Sequence, residues 1–279
     1  MERREQPRAR VVADSVAPDG ARLTTIEVTL HRFVLAELNT HRAFSRNSAS
    51  SRAIPVRRLI NAVRTAPAVP LEFGSARSGM QAGPVLEDDS AALATWMAAR
   101  DAAADAAERL LDLGVHKQVA NRLLEPFLWQ TVIVSATDWD GFWEQRCSPL
   151  AQPEIRAAAT AMREARRASV PLEVDGGGWH LPYLLREEMD IDPKVAVRIS
   201  AARCARVSYL THDGIRDPAL DLELYDKLVG ASPPHSSPLE HVATPALPDR
   251  PAAGNLKGWV QLRQLVLSGG GMGMAVAPG

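Results

Sequence analysis

The chain has 279 residues, of which 46% are apolar and 23% charged, with 32 basic residues against 33 acidic ones. That is enough apolar surface to fold, and a net charge of −1 excludes a whole-molecule field that would hold nucleic acid or an anionic membrane, so any anion site must be local. The N-terminal stretch has no apolar run resembling a signal sequence and no later run is long enough to span a bilayer, so the expectation is a cytoplasmic protein without a membrane partner. Two cysteines, Cys147 and Cys204, are too few for a disulfide scaffold or a four-cysteine zinc site, and they read as reduced, buried thiols.

Residues 23–30 (LTTIEVTL) alternate Ile26, Val28 and Leu30 with Thr25, Glu27 and Thr29, the period-two pattern of a half-buried strand. The chain then enters its most polar segment. Val56 to Val63 reads as a short basic helix, and 66–84, rich in proline and glycine, as a long loop of the kind that often carries function. From Asp89 or Ser90 as N-cap, an amphipathic helix runs to a stop at Gly114. A second helical stretch is expected from His116 to about Thr137, kinked or broken near Leu124 by Pro126. Pro153 to Arg167 is another helix with proline in its first turn, and 175–178 (DGGG) is punctuation. Asp192-Pro193 and Asp217-Pro218 are cap-plus-proline starts for helices to about Ala205 and Val229, and the glycine-rich last eleven residues carry no periodicity and read as mobile.

Between Arg32 and Arg64 seven arginines face a single acid, Glu37, a local charge of +6 in a near-neutral protein. The segment from Glu37 to Arg52 places serines, an amide and arginines at close intervals, and such loops bind phosphate oxygens through backbone N–H groups and paired guanidinium donors. A phosphate monoester suits it better than a polymer, because only Phe44 is at hand to stack on bases. The competing reading from composition is a solvated loop of serines, arginines and N-caps.

The order Thr40-His41-Arg42-x-x-Ser45-x-Asn47-x-x-Ser50-x-Arg52 resembles the signature Arg-His-Arg-x-x-Ser-x-Asn-Glu-x-Ser-x-Arg of the flavin-dependent thymidylate synthases, the ThyX family. Arg122 to Pro126 with Thr131 is similar to its Ala-Arg-x-x-Leu-Pro helix. Arg146 with Ala151-Gln152-Pro153-Glu154-Ile155 is similar to its Leu-Arg…His-Ala-Gln-x-Glu-Ile element, with Leu150 in the place of the histidine. Ala205 to Tyr209 and His235 to His241 resemble its Ala-Arg-Val-Ser-Tyr and His-x-Ser-Pro-x-Glu-His stretches, which in the family precede the signature and here follow it. Thr40 replaces the first signature arginine, Ser48 the glutamate, and Glu37 an upstream glutamine.

The resemblance implies a single α+β catalytic domain over 1–265, with a mixed or antiparallel sheet flanked by helices and a permuted element order. Its parts are an arginine-signature half (1–172) and a second half (173–265), with a flexible tail at 266–279. It implies flavin-dependent C5-methylation of UMP or dUMP, with methylenetetrahydrofolate as one-carbon donor, reduced FAD as hydride source and NADPH as reductant, in a homotetramer with sites at subunit interfaces. Arg146 matches the activating arginine. Glu37, Asn39, Thr40, Ser48, Ser50, Ser51, Arg52 and Arg122 match nucleotide-facing positions. His41, Arg42, Asn47, Ser208, His235, Ser237 and Glu240 match positions around the flavin.

Three other readings compete. Cys147 could act as a thiolate nucleophile beside Arg146. His235, Glu240 and His241 could be metal ligands, but their spacing fits no common zinc pattern, so no metal is expected. A non-catalytic nucleotide- or RNA-binding protein could retain the same basic loop. No Gly-x-Gly-x-x-Gly sits between a strand and a helix, which disfavours a Rossmann way of holding FAD, and Trp139, Trp143, Trp179 and Trp259 read as core.

Overall fold

A computed structural model describes residues 4–268 except 210, 212, 213, 215 and 253. The chain opens with a hairpin, β1 (Arg8–Val16) and β2 (Arg22–His31), whose turn uses Gly20 at φ +85°, a conformation open to glycine without cost. A short helix α1 (Leu35–Asn39) leads to β3 (Ser45–Ser48), then α2 (Val56–Thr65), α3 (Ser90–Asp112) and α4 (Lys117–Ala120) precede β4 (Trp129–Ala136). Helices α5 (Asp140–Arg146) and α6 (Pro153–Ala168) and the two-residue β5 (Leu172–Glu173) complete the first half. The second half holds α7 (Pro193–Arg206), α8 (Pro218–Val229), β6 (Ala243–Pro245), β7 (Trp259–Gln261) and α9 (Leu262–Leu267).

The main sheet has the order β3-β4-β2-β1-β5, antiparallel except where β5 runs parallel to β1, while β6 and β7 pair separately. The fold is therefore α+β with a mixed sheet flanked by helices, as expected. One expectation fails. The stretch from His116 to Thr137 is helical only as α4 and a 3-10 segment, Asn121–Phe127, that contains Pro126, and from Trp129 it is a central strand. Its run of Thr131, Val132, Ile133 and Val134 is β-branched throughout, which favours the pleated surface once the proline has ended the helical turns. The caps behave unevenly. Asp192 and Asp217 each accept two backbone N–H groups as predicted. At α3, Asp88 accepts the Ser90 N–H at 3.0 Å, and Asp89 is instead paired with Arg4.

One face of the sheet is apolar. Ile26, Val28 and Leu30 of β2 with Val132, Val134 and Ala136 of β4 pack on Ile155, Ala158, Ala159 and Met162 of α6 and on Phe142 of α5. The other face carries Thr25, Glu27, Ser135 and Ile133, and it is buried too, under the second half of the chain. A bulge at Val12 frees its carbonyl to accept the Tyr183 N–H, and the Tyr183 hydroxyl donates to Glu27 at 2.6 Å. Those contacts hold Tyr183 at φ 63°, a strained conformation for a bulky residue. Helix α7 is buried on nearly every side, which its alanines permit, and its inward Arg203 and Arg206 share the carboxylate of Asp221 from α8.

The long loop after α2 is tied down rather than free over its first part. Arg4 donates to the carbonyls of Pro70 and Leu71, Trp96 to that of Ala68, and the buried Glu154 accepts the Leu71 N–H at 2.7 Å. Helix α9 carries order to Leu267, inside the predicted tail, and the glycine-rich stretch from 269 lies outside the described residues. Among the described residues no helix is long and apolar enough to cross a membrane.

Candidate functional site

The arginine-rich segment is built on the sheet edge. After β2, α1 turns the chain back so that Ser45 to Ser48 can pair with Val132 to Ser135 of β4, and the residues read as a loop become an edge strand. Arg46, not singled out from sequence, fixes the turn: its Nη1 donates to the carbonyls of Leu38, Asn39 and His41. The guanidinium thus ties the C-terminal end of α1 to the residues that follow it, a place where carbonyl groups point out of a helix and cations are favoured.

Onto this turn the last residue of α5, Arg146, folds its side chain. Its Nε donates to His41 Nε2 at 3.0 Å, and its Nη2 to Thr40 Oγ1 at 3.0 Å and to the Glu37 carbonyl at 3.3 Å. His41 lies edge-on to Phe142, 4.9 Å between centroids, and beside Phe44. Burial, then the guanidinium groups of Arg146 and Arg46, hold its imidazole below the ordinary histidine range, so it is neutral and able to accept. The Oε2 of Glu37 is shielded from solvent with no hydrogen-bond partner among the described residues, while Asn39 is exposed at the end of α1.

A second cluster lies where the signature strand meets α7. Asn47 Nδ2 donates to the Cys204 carbonyl at 2.9 Å, Ser208 Oγ donates to Asn47 Oδ1 at 3.0 Å, and the Ser50 N–H donates to the Ser208 carbonyl. A cleft of about 160 Å³ opens there, lined by Asn47, Ala205, Ser208, Tyr209, His235 and Ser237. Four residues from distant parts of the sequence, matched to flavin positions by resemblance, thus line one cleft. His235, Ser237 and Arg42 are exposed. Glu240 is turned toward Arg263 of α9, and Gln261 bridges the Glu240 carbonyl to Ser45 Oγ.

The remaining residues matched to nucleotide positions by resemblance lie at the far end of β3. Ser51 is buried, its carbonyl accepting from Asn121 Nδ2 at 2.6 Å, so its backbone rather than its hydroxyl shapes the loop. Arg52 is exposed and has no side-chain partner among the described residues. Arg122 pairs with Glu125, which also binds Arg32, while Gln130 accepts from Arg32 and donates to the Ala49 carbonyl. Ser48 closes β3 half-buried. Arg52 and Arg146 do not touch within the protomer.

Sequence reasoning missed Arg46, Gln261, Arg263 and the Arg32–Gln130 link. Only the arginine density hinted at the first, and the others act through contacts between distant segments. Cys147 caps α5 half-buried, and burial pushes the Cys204 thiol far up, which makes Cys204 a poor thiolate.

The turn thus gathers Arg46, Arg146 and His41 at the edge of the α+β sheet. The chain belongs to the family described as thymidylate synthase complementing protein, whose sequence model matches residues 23–172, just over half of the chain. Membership places it among thymidylate synthase-like methyltransferases. Two solved structures of the UMP/dUMP methylase PolB from Streptomyces cacaoi are similar to it at 18% identity. The one with bound 5-Br dUMP covers 60% of this chain and 92% of its own at a TM-score of 0.48. The one with 5-Br UMP covers 58% and 89% at 0.45. No curated protein sequence matches the chain.

Proposed function

We propose that the chain methylates C5 of a uridine monophosphate, UMP or dUMP, taking the one-carbon unit from methylenetetrahydrofolate and reducing power from NADPH through FAD. The observation that carries this reading is Arg146 held against the signature turn beside a neutral His41. C5 of uracil becomes nucleophilic when negative charge gathers on the N3–O4 side of the ring, and a fixed guanidinium stabilises that charge as it develops. Arg52, exposed and unengaged, with Ser50 and the backbone around Ser51, suits the 5′-phosphate, and Arg122 supports it. Ser48, Asn39 and Glu37 are assigned to the sugar or base by resemblance. No side-chain nucleophile is needed, and Cys147 has no role in this scheme.

The residues present fit FAD. His235 and Ser237 carry exposed polar side chains that suit its phosphates and line one cleft with Asn47 and Ser208, while Arg42 and Glu240, outside that lining, are assigned to the flavin by resemblance. Bound reduced flavin supplies the hydride that completes the methyl group. The family resemblance is the ground for a homotetramer in which neighbouring copies complete each site.

The test is purification followed by visible absorbance and mass analysis of product from UMP and from dUMP, with NADPH and methylenetetrahydrofolate supplied. A yellow protein that methylates at least one nucleotide is expected, and Arg146→Ala should abolish turnover while retaining nucleotide binding. Colourless protein that binds oligonucleotides in a salt-dependent way without turnover would replace this reading with the non-catalytic one.

A further inference from the structure

Thr40 stands where the family signature has arginine. Its hydroxyl is fully committed: Oγ1 donates to the Glu37 carbonyl at 2.7 Å, so its lone pairs are left to accept from Arg146 Nη2 at 3.0 Å. His41 is committed in the same sense. Accepting the Arg146 Nε–H at Nε2 requires the neutral tautomer with its proton on Nδ1, because an imidazolium has donors at both nitrogens and would expel the arginine. The ring is held in place by Phe142 and Phe44.

A guanidinium has five N–H donors in a rigid fork. The Nε–H and both Nη2 hydrogens of Arg146 point at His41, Thr40 and the Glu37 carbonyl, and no partner for Nη1 occurs among the described residues. An arginine at position 40 could not accept from Arg146 and would set a like charge against it. The departure from the signature is thus matched to the conformation of Arg146.

Resting on the reading of Arg146 as the activating arginine, we infer that Thr40 and His41 are positioning residues that clamp its Nε–Nη2 edge and leave Nη1 as the nitrogen presented to the pyrimidine. Thr40 then works through Arg146 rather than on the nucleotide directly.

The test uses the full chain in two arms. In the first, ¹⁵N-histidine-labelled protein without added ligand is measured at neutral pH, with the His41 signals assigned from His41→Gln. A proton on Nδ1 and an unprotonated Nε2 are expected, with the Nε2 resonance shifting in Thr40→Val and returning in Thr40→Ser. In the second, Thr40→Val should lower kcat about tenfold, the size of one hydrogen bond to a charged group, with nucleotide Kd nearly unchanged and kcat restored in Thr40→Ser. A His41 protonated on Nε2, or Thr40→Val turning over at the wild-type rate, would overturn the inference. If the tautomer is as expected but wild-type protein methylates neither nucleotide, the clamp stands and the reading of the reaction falls.

Discussion

The two faces of the main sheet close in different ways. On the face toward α6, six strand side chains and the helix bury apolar surface against one another, and the contact is indifferent to hydrogen-bond direction. On the face toward the second half, a row of polar groups does the closing. Ser15 lies 2.8 Å from His180 Nδ1, His180 Nε2 2.7 Å from Thr25 Oγ1, Thr25 2.5 Å from Ser135 Oγ, and Ser135 2.8 Å from His241 Nδ1. All five residues are buried. The first face is tolerant of detail; the second depends on the geometry of its hydrogen bonds in an interior where an unmade one is costly, as at His241 Nε2, which is buried with no partner among the described residues.

Acid is the sharpest way to separate them. Burial holds His180 and His241 at about 3, His241 also because His180 is its neighbour, against an ordinary value of 6.5. These pKa values are depressed, so the unfolded chain takes up protons first as pH falls. The stability from both imidazoles is whole above the unfolded value and is lost from there down toward about 3. The expected slope is about 1.4 kcal/mol per pH unit for each imidazole, and His180→Gln should remove one share of it in urea titrations across that window. A urea midpoint that stays constant between roughly pH 6.5 and 5 would end the claim that the polar face is acid-labile.

Met162→Ala tests the apolar face. It empties a fully buried site on α6 and should cost about 3 kcal/mol with no new pH dependence, measured by the same titrations. Thr25→Val tests the polar row with a nearly isosteric change. It leaves His180 Nε2 and Ser135 Oγ without their shared partner and should cost about 2 kcal/mol, whereas Thr25→Ser keeps the hydroxyl and should cost less. A smaller loss in the Val variant than in the Ser variant would mean that the methyl group, not the hydroxyl, matters at that position.

Part of this was legible in the sequence. The alternation in 23–30 located β2, and the aspartate-proline pairs located α7 and α8, because these signals act within a few residues. The polar members Thr25 and Glu27 read as a solvent face, since nothing local announces that residues 180–241 will cover them. β4 was misread because an apolar run after a proline has no periodicity that separates strand from helix. At the site, residue types and order identified the arginine segment. The partners did not follow from it: Arg46 on three carbonyls, Arg146 on Thr40 and His41, and Asn47 on the end of α7 all join segments distant in the sequence.

The sequence by itself determined that a basic segment with a family signature sits inside a near-neutral chain, and where most helices begin, because charge and capping are local properties. Tertiary structure decided which edge of Arg146 is occupied, which serines are buried, and that both faces of the sheet are covered. Those depend on distances between residues far apart in the sequence, such as Gln261 and Ser45, which are 216 positions apart.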